Sequence, residues 1–451
     1  MKILRFSDFQ TRLPFAISSD NRDNYLEAFL STELGKIYQG MPWDNLVKSL
    51  GLKSKRKGPQ SIFSPQGKIA LMVLKHYACV SDQKLIAQLN ANTDYQIFCD
   101  LIITPNNRLH NFKIVSEIRC ELGQRLDIPE LQKVLAESWR PYCSNKDSMT
   151  CDATCYESYV RFPTDVKLLF ETVLWNYKQL KSICYQRKER LIRSKYNKWN
   201  KRYKSYCKSR RPSRKATNAM LRGLLRLLRK IHETLLLIEL DAIYQVPSKY
   251  FERRSTTAVI LRQQEGKFFE GIKPTNRIIS LDRNYIRPIV RGKEIKKVEF
   301  GAKVNKLQVD GISFIEHLSF DAFNEGTRWV DSIHLAQELM KTQTKIVGAD
   351  KIYATNKNRN YATANNIKTD FPRKGRPSKH KNHYSQLQAM ITKERATRLE
   401  GSFGTDKEHF LLNRIKARTK ETERLWIFFG IHTSNALKIG RRMAQSLAQA
   451  A

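Results

Sequence analysis

From residue 23 to residue 145 the apolar positions recur at helical spacing. Tyr25, Leu26, Phe29, Leu30, Leu34, Ile37 and Tyr38 form one stripe, and Ile69, Leu71, Val73 and Leu74 follow a basic, proline-containing loop over 53–66. A helix over 67–79 is followed by Ser81, a residue suited to cap a second helix over 82–89. The pair predicts a helix-turn-helix-like unit, a pattern that a purely structural bundle shares. At Met149 the pattern changes to short apolar runs, a strand signal, broken by Pro163. Residues 166–243 return to helix, and Arg210-Arg211-Pro212-Ser213 divides them into a helical hairpin. Strands are predicted again over 277–281, 298–304 and 314–320, then a helix over 329–341 and a strand ending at Asp350. The run from Glu423 to Leu447, with Leu425, Trp426, Phe428, Phe429, Ile431 and Leu437, reads as a core-closing helix.

Three acids stand out on this framework. Asp152 and Asp350 close short apolar runs, Ser148-Met149-Thr150-Cys151-Asp152 and Lys345-Ile346-Val347-Gly348-Ala349-Asp350. Glu400 lies in Leu399-Glu400-Gly401-Ser402-Phe403-Gly404, and Lys407 follows two helical turns later, on the same face. Two strand-end aspartates and a helix glutamate are what a two-metal phosphoryl-transfer site requires, with the ions roughly 4 Å apart. On pattern alone Asp282, which closes 277–281, is an equally good strand-end acid. Gly401 and Gly404 set Glu400 apart from Glu394 and Glu408. Each glycine costs a helix about 1 kcal/mol relative to alanine, which implies close approach of another backbone or of DNA, or tight helix packing.

With these acids in place, the chain resembles the DDE transposases of bacterial insertion sequences, in the group whose third acid lies in a Glu-x6-Lys motif (insertion-sequence four/five superfamily type). The resemblance runs in five blocks, 64–101, 151–165, 286–303, 347–361 and 398–432, in the family's order. It departs from the fuller pattern Tyr-x2-Arg-x3-Glu-x6-Lys, because Lys393 and Ala396 stand at the tyrosine and arginine positions and Arg395 and Arg398 lie out of register. The resemblance favours Asp152 and Asp350 over Asp282. It implies an α/β RNase H-like catalytic core interrupted by a helical insertion, plus an all-α N-terminal domain. The expected domains are 1–145, helical and DNA-binding; 146–165 with 276–420, the catalytic core; 166–275, the basic helical insertion; and 421–451, a C-terminal helix.

The implied activity is binding of insertion-sequence ends followed by metal-dependent DNA cleavage and strand transfer. Asp152, Asp350 and Glu400 would hold two Mg²⁺ ions, for which Mn²⁺ can substitute, and Lys407, Arg395 and Arg398 would meet phosphate near the scissile bond. Synapsis of two ends implies at least a homodimer on double-stranded DNA. The alternatives are an RNase H-like nuclease without strand transfer and a domesticated, non-catalytic DNA-binding protein.

Charge agrees with a nucleic-acid partner. The 451 residues hold 81 Lys and Arg against 43 Asp and Glu, a net charge of +38, far above what solubility requires. Part of it lies in the insertion, where Lys195, Lys198, Lys201 and Arg202 are interleaved with aromatics. Another part lies in a Gly/Pro-broken loop over 372–385 with Arg373, Lys374 and Arg376. The eight cysteines lack paired metal-ligand spacing and read as reduced thiols. No apolar run is long enough for a signal peptide or a membrane span, so the expected location is cytoplasmic, on the nucleoid when DNA is bound.

Overall fold

The computed structural model describes residues 22–54, 61–239, 245–290, 298–372 and 381–450, and its contacts divide the chain into two compact units. One comprises Met1–Tyr159, Ala302–Ser319 and Phe323–Ala451; the other is Val160–Gly301 with Phe320–Ala322.

In the first unit, side chains cap the N-terminal helices, Ser81 at the position the sequence indicates. Thr32 accepts from the Gly35 N–H, Ser64 from Gly67 and Ser81 from Lys84. The helices expected over 67–79 and 82–89 run over Pro65–Ala78 and Asp82–Leu89, joined through Cys79 in the left-handed conformation (φ 53°). Asp82 ties them together, 2.8 Å from the buried Lys75 and 3.0 Å from Arg119.

Seven strands are present among the described residues: β1 (Ser148–Ser158), β2 (Pro288–Val290), β3 (Val298–Val309), β4 (Ile312–Ser319), β5 (Ile346–Ala349), β6 (Lys368–Thr369) and β7 (Arg414–Ile415). In the first unit the order is β4-β3-β1-β5-β6, with β3 and β4 antiparallel, β1 parallel to β5, and β5 parallel to β6. β7 joins the far end of β1, also in parallel, through Glu157↔Arg414.

The helix Lys420–Ala450 runs through this unit, against the helices Glu33–Gln39, Pro65–Ala78 and Lys113–Gln124 and against β4. Gly440 permits the closest crossing, since a Cβ there would lie 1.9 Å from the Lys36 carbonyl oxygen. Phe428 and Trp426 are buried along it, as the apolar run predicts.

The second unit is built on the helices Asp165–Gln186, Tyr196–Lys208, Arg214–Glu239 and Tyr250–Glu265. The chain breaks before Arg214 as expected, and again between Gln186 and Tyr196. Most of the aromatics pack inward. Phe170 stacks on Tyr203 at 3.6 Å and Tyr177 on Tyr196 at 3.8 Å, and Trp175, Trp199 and Tyr206 lie against the same apolar cluster. Lys195, Lys198, Lys201 and Arg202 remain exposed. The strand predicted over 277–281 does not form. Ile278, Ile279 and Leu281 are buried, but the Ile278 N–H donates to the side chain of Gln263 (3.0 Å) instead of to a neighbouring strand.

Candidate active site

β1 alternates its side chains, so Asp152, Thr154 and Tyr156 share one face. The parallel pairing of β1 with β5 ends at Cys151↔Ala349, and Asp152 and Asp350 are the next residues on the two strands. Asp350 therefore stands at a strand end as the sequence indicates, whereas Asp152 lies within β1, which continues to Ser158. Burial pushes the Asp152 carboxyl up to about 6. The charges of Glu325 and Asp350 add to this, while the Ala153 N–H, 2.7 Å from Oδ1, and Arg395 oppose it. Asp350 is exposed, and its Oδ1 accepts from the Lys351 N–H at 2.7 Å.

The third acid arrives on a helical segment that is continuous from Lys381 to His409 but contains one wide π-turn, Arg395–Glu400. A π-turn aligns residues i and i+5, so Arg395 lies on the face of Glu400, with Nη1 3.2 Å from Oε1. Arg395 thus reaches Glu400 although it stands one position before the arginine of the fuller pattern. Beyond it, Leu399, Ser402, Phe403 and Asp406 form the buried stripe. Asp406 accepts from the Tyr156 hydroxyl (2.7 Å) and from the Lys306 ammonium (2.6 Å), which also donates to Ser402 Oγ (2.8 Å). Lys306 is fully buried on β3, with its charge 4.4 Å from the centre of the Phe403 ring, and burial lowers its pKa. This network lays the Glu400 helix over the face of β1 that bears Asp152. Lys407 Nζ then reaches Thr154 Oγ1 at 3.2 Å.

Asp282 belongs to the second unit, where it pairs with Arg253 at 2.7 Å. Arg398 engages Glu394 (2.9 Å) and Asp310 (3.7 Å). Arg373, Lys374 and Arg376 lie outside the described residues. Sequence reasoning missed Lys306, Asp406, Glu325 and Asp370. A lysine inside the apolar run of β3 and an aspartate on the apolar stripe of the Glu400 helix were the available signals for the first two.

Carboxylate oxygens suit a hard cation such as Mg²⁺, which is commonly held by one or two carboxylates together with substrate phosphates. Asp152 and Asp350 meet that description. Among the described residues no three His, Cys, Asp or Glu side chains come close enough to hold a metal ion, and Glu400 engages Arg395 instead.

The glycines separate two kinds of close approach. At Gly348 of β5 a Cβ would lie 2.9 Å from Ile391 and 3.1 Å from Thr150, so the helix Lys381–Glu394 packs directly on this strand. At Gly401 and Gly404 no atom of the described residues lies within 4 Å, so helix packing does not account for them. Gly348→Ala is expected to destabilise by about 1–3 kcal/mol, and Gly401→Ala to stabilise by up to about 1 kcal/mol. Urea unfolding of both variants checks the two signs.

Residues 347–431, which include Asp350, Glu400 and Lys407, match the family model described as Transposase DDE domain. No curated protein and no solved structure matches the chain.

Proposed function

We propose that this chain, which carries a transposase DDE domain over residues 347–431, cuts DNA at the ends of a mobile element and joins the freed ends to target DNA. The observation that carries the reading is the β1–β5 register, which sets Asp152 beside Asp350 on the face covered by the Glu400 helix. The strand order β4-β3-β1-β5-β6 is compatible with an RNase H-like core and supports the reading further.

In the first step water attacks the phosphodiester at the element's end, and the bond from phosphorus to the 3′-oxygen breaks, freeing a 3′-hydroxyl. In the second, that hydroxyl attacks a target phosphodiester and displaces the target's own 3′-oxygen. Asp152, Asp350 and Glu400 would hold Mg²⁺, with Mn²⁺ a competent substitute. When bound, the metal supplies activation of the attacking oxygen and charge stabilisation of the leaving one. Lys407, positioned over Thr154, would meet the scissile phosphate. Gly401 and Gly404 would leave room for the DNA backbone. Synapsis requires at least two copies of the chain. The test is incubation of the protein and Mg²⁺ with labelled duplex carrying the gene's flanking repeats and a target plasmid. Nicks with 3′-hydroxyls and joined products are expected. Nicks that never join would favour a nuclease, and binding without nicks a non-catalytic DNA-binding protein.

In this reading the exposed cations of the second unit also bind DNA phosphates. Non-specific duplex affinity should fall about 10³-fold or more between about 50 and 200 mM salt if six or more phosphates are contacted. Replacing Lys195, Lys198, Lys201 and Arg202 by alanine should flatten that slope and weaken end binding. Circular dichroism should be unchanged, because exposed charges contribute little to folding. Unchanged binding in the folded variant would show that this face only meets solvent.

A further inference from the structure

Arg395 is only 15% exposed, and a guanidinium so enclosed needs a charge partner. Glu400, 52% exposed, cannot supply all of that, because ion pairs open to water are weak. The second partner is Asp370, whose side chain is 3% exposed and whose Oδ2 lies 3.7 Å from Arg395 Nε, an atom without a hydrogen bond among the described residues. The other oxygen of Asp370 does separate work. The β5–β6 ladder ends at Val347↔Thr369, and there Asp370 Oδ1 accepts the N–H of Ala349 at 3.0 Å. Ala349 immediately precedes Asp350. One carboxylate thus accepts from the backbone just before one candidate acid and faces, as an ion pair, the arginine that contacts another.

We propose that Asp370 is a positioning residue of this site: it fixes Arg395, and through Arg395 the Glu400 carboxylate, at a set place relative to Asp350. The proposal rests on the reading of Asp152, Asp350 and Glu400 as the metal-holding acids. The physical need follows from that reading, since carboxylates brought to one metal site would repel one another until cations arrive. An internal arginine tethered by a buried aspartate offsets that repulsion and limits where Glu400 can go. Partners of this kind around metal ligands typically change affinity or rate by about 10–100-fold.

Asp370→Asn separates the two jobs, because the amide oxygen can still accept from Ala349 while the charge facing Arg395 is lost. The test compares wild type, Asp370→Asn, Arg395→Gln and the double variant, each as the full chain bound to end DNA. Mn²⁺ binding is read by calorimetry, and single-turnover nicking and thermal melting are read in parallel. Asp370→Asn is expected to weaken Mn²⁺ binding about tenfold or more with folding intact, and elevated Mn²⁺ should restore its nicking. The double variant should be no worse than Arg395→Gln alone, since both changes cut one chain of contacts. Wild-type Mn²⁺ binding in Asp370→Asn, or losses that multiply in the double variant, would overturn the proposal. If Asp370→Asn does not fold, Arg395→Lys takes its place. It keeps the charge but loses the planar fork, and unchanged Mn²⁺ binding there would count against the proposal equally. Should wild type bind Mn²⁺ yet cut no DNA, the transposase reading fails, while the binding cycle still decides the role of Asp370.

Discussion

Alanine at Asp152, at Asp350 or at Glu400 is expected to reduce nicking of end DNA by about 10³-fold or more. In the proposed reading each change removes a carboxylate from a site whose bound metals would supply several kcal/mol of transition-state stabilisation, at about 1.4 kcal/mol per tenfold. Binding to the same DNA should stay within a few fold, because in that reading affinity would come from the cationic surface and not from the acids. Gel shift and nicking measured on one preparation separate the two effects. The strand pairing gives Asp350 the sharpest role, since it stands next to Asp152 at the end of β5. Asp350→Ala cutting at the wild-type rate would mean that the acids are wrongly assigned. Asp282, the other strand-end candidate, would then be examined next, together with Glu325 and Asp370.

The largest effect on stability is expected at Lys306. Its ammonium is fully buried, with Asp406 and Ser402 as hydrogen-bond partners. Removing one member of such a pair leaves the other charge buried without compensation, a loss of about 3–5 kcal/mol. Lys306→Ala and Asp406→Ala should each show it in urea unfolding. The variant Lys306→Met with Asp406→Leu should lose much less than the sum, because no charge is then stranded. Strict additivity would show that the pair is not coupled. Nicking should fall in the single variants beyond the change in folded fraction, since the same contacts set the helix bearing Glu400 and Lys407 over β1.

The legible parts of the site are those that depend on local pattern. The strand ending at Asp350, the helices on either side of Ser81 with that serine as cap, and the hairpin break before Arg214 follow from periodicity and turn chemistry within a few residues. The strand expected over 277–281 shows the limit of that logic. Ile278, Ile279 and Leu281 are apolar because they are buried, and burial alone does not distinguish a strand from an irregular segment whose N–H finds a glutamine side chain. The arginine register was hidden for a related reason. Residue spacing assumes 3.6 residues per turn, so Arg395 looks displaced until the π-turn brings it onto the face of Glu400. Asp370 had no local signature at all. Its importance comes from a two-residue strand beside β5 and from an arginine 25 residues later in sequence, contacts that only the folded chain creates.

That Asp152, Asp350 and Glu400 form one metal site is tested most directly by locating Mn²⁺, through its anomalous scattering, in crystals of the protein bound to end DNA. Metal is expected within bonding distance of oxygens from all three carboxylates, with one Glu400 oxygen on the ion, the other kept by Arg395, and Arg395 retained on Asp370. Mn²⁺ bound elsewhere, with no Glu400 oxygen on the ion in the DNA complex, would contradict that assignment.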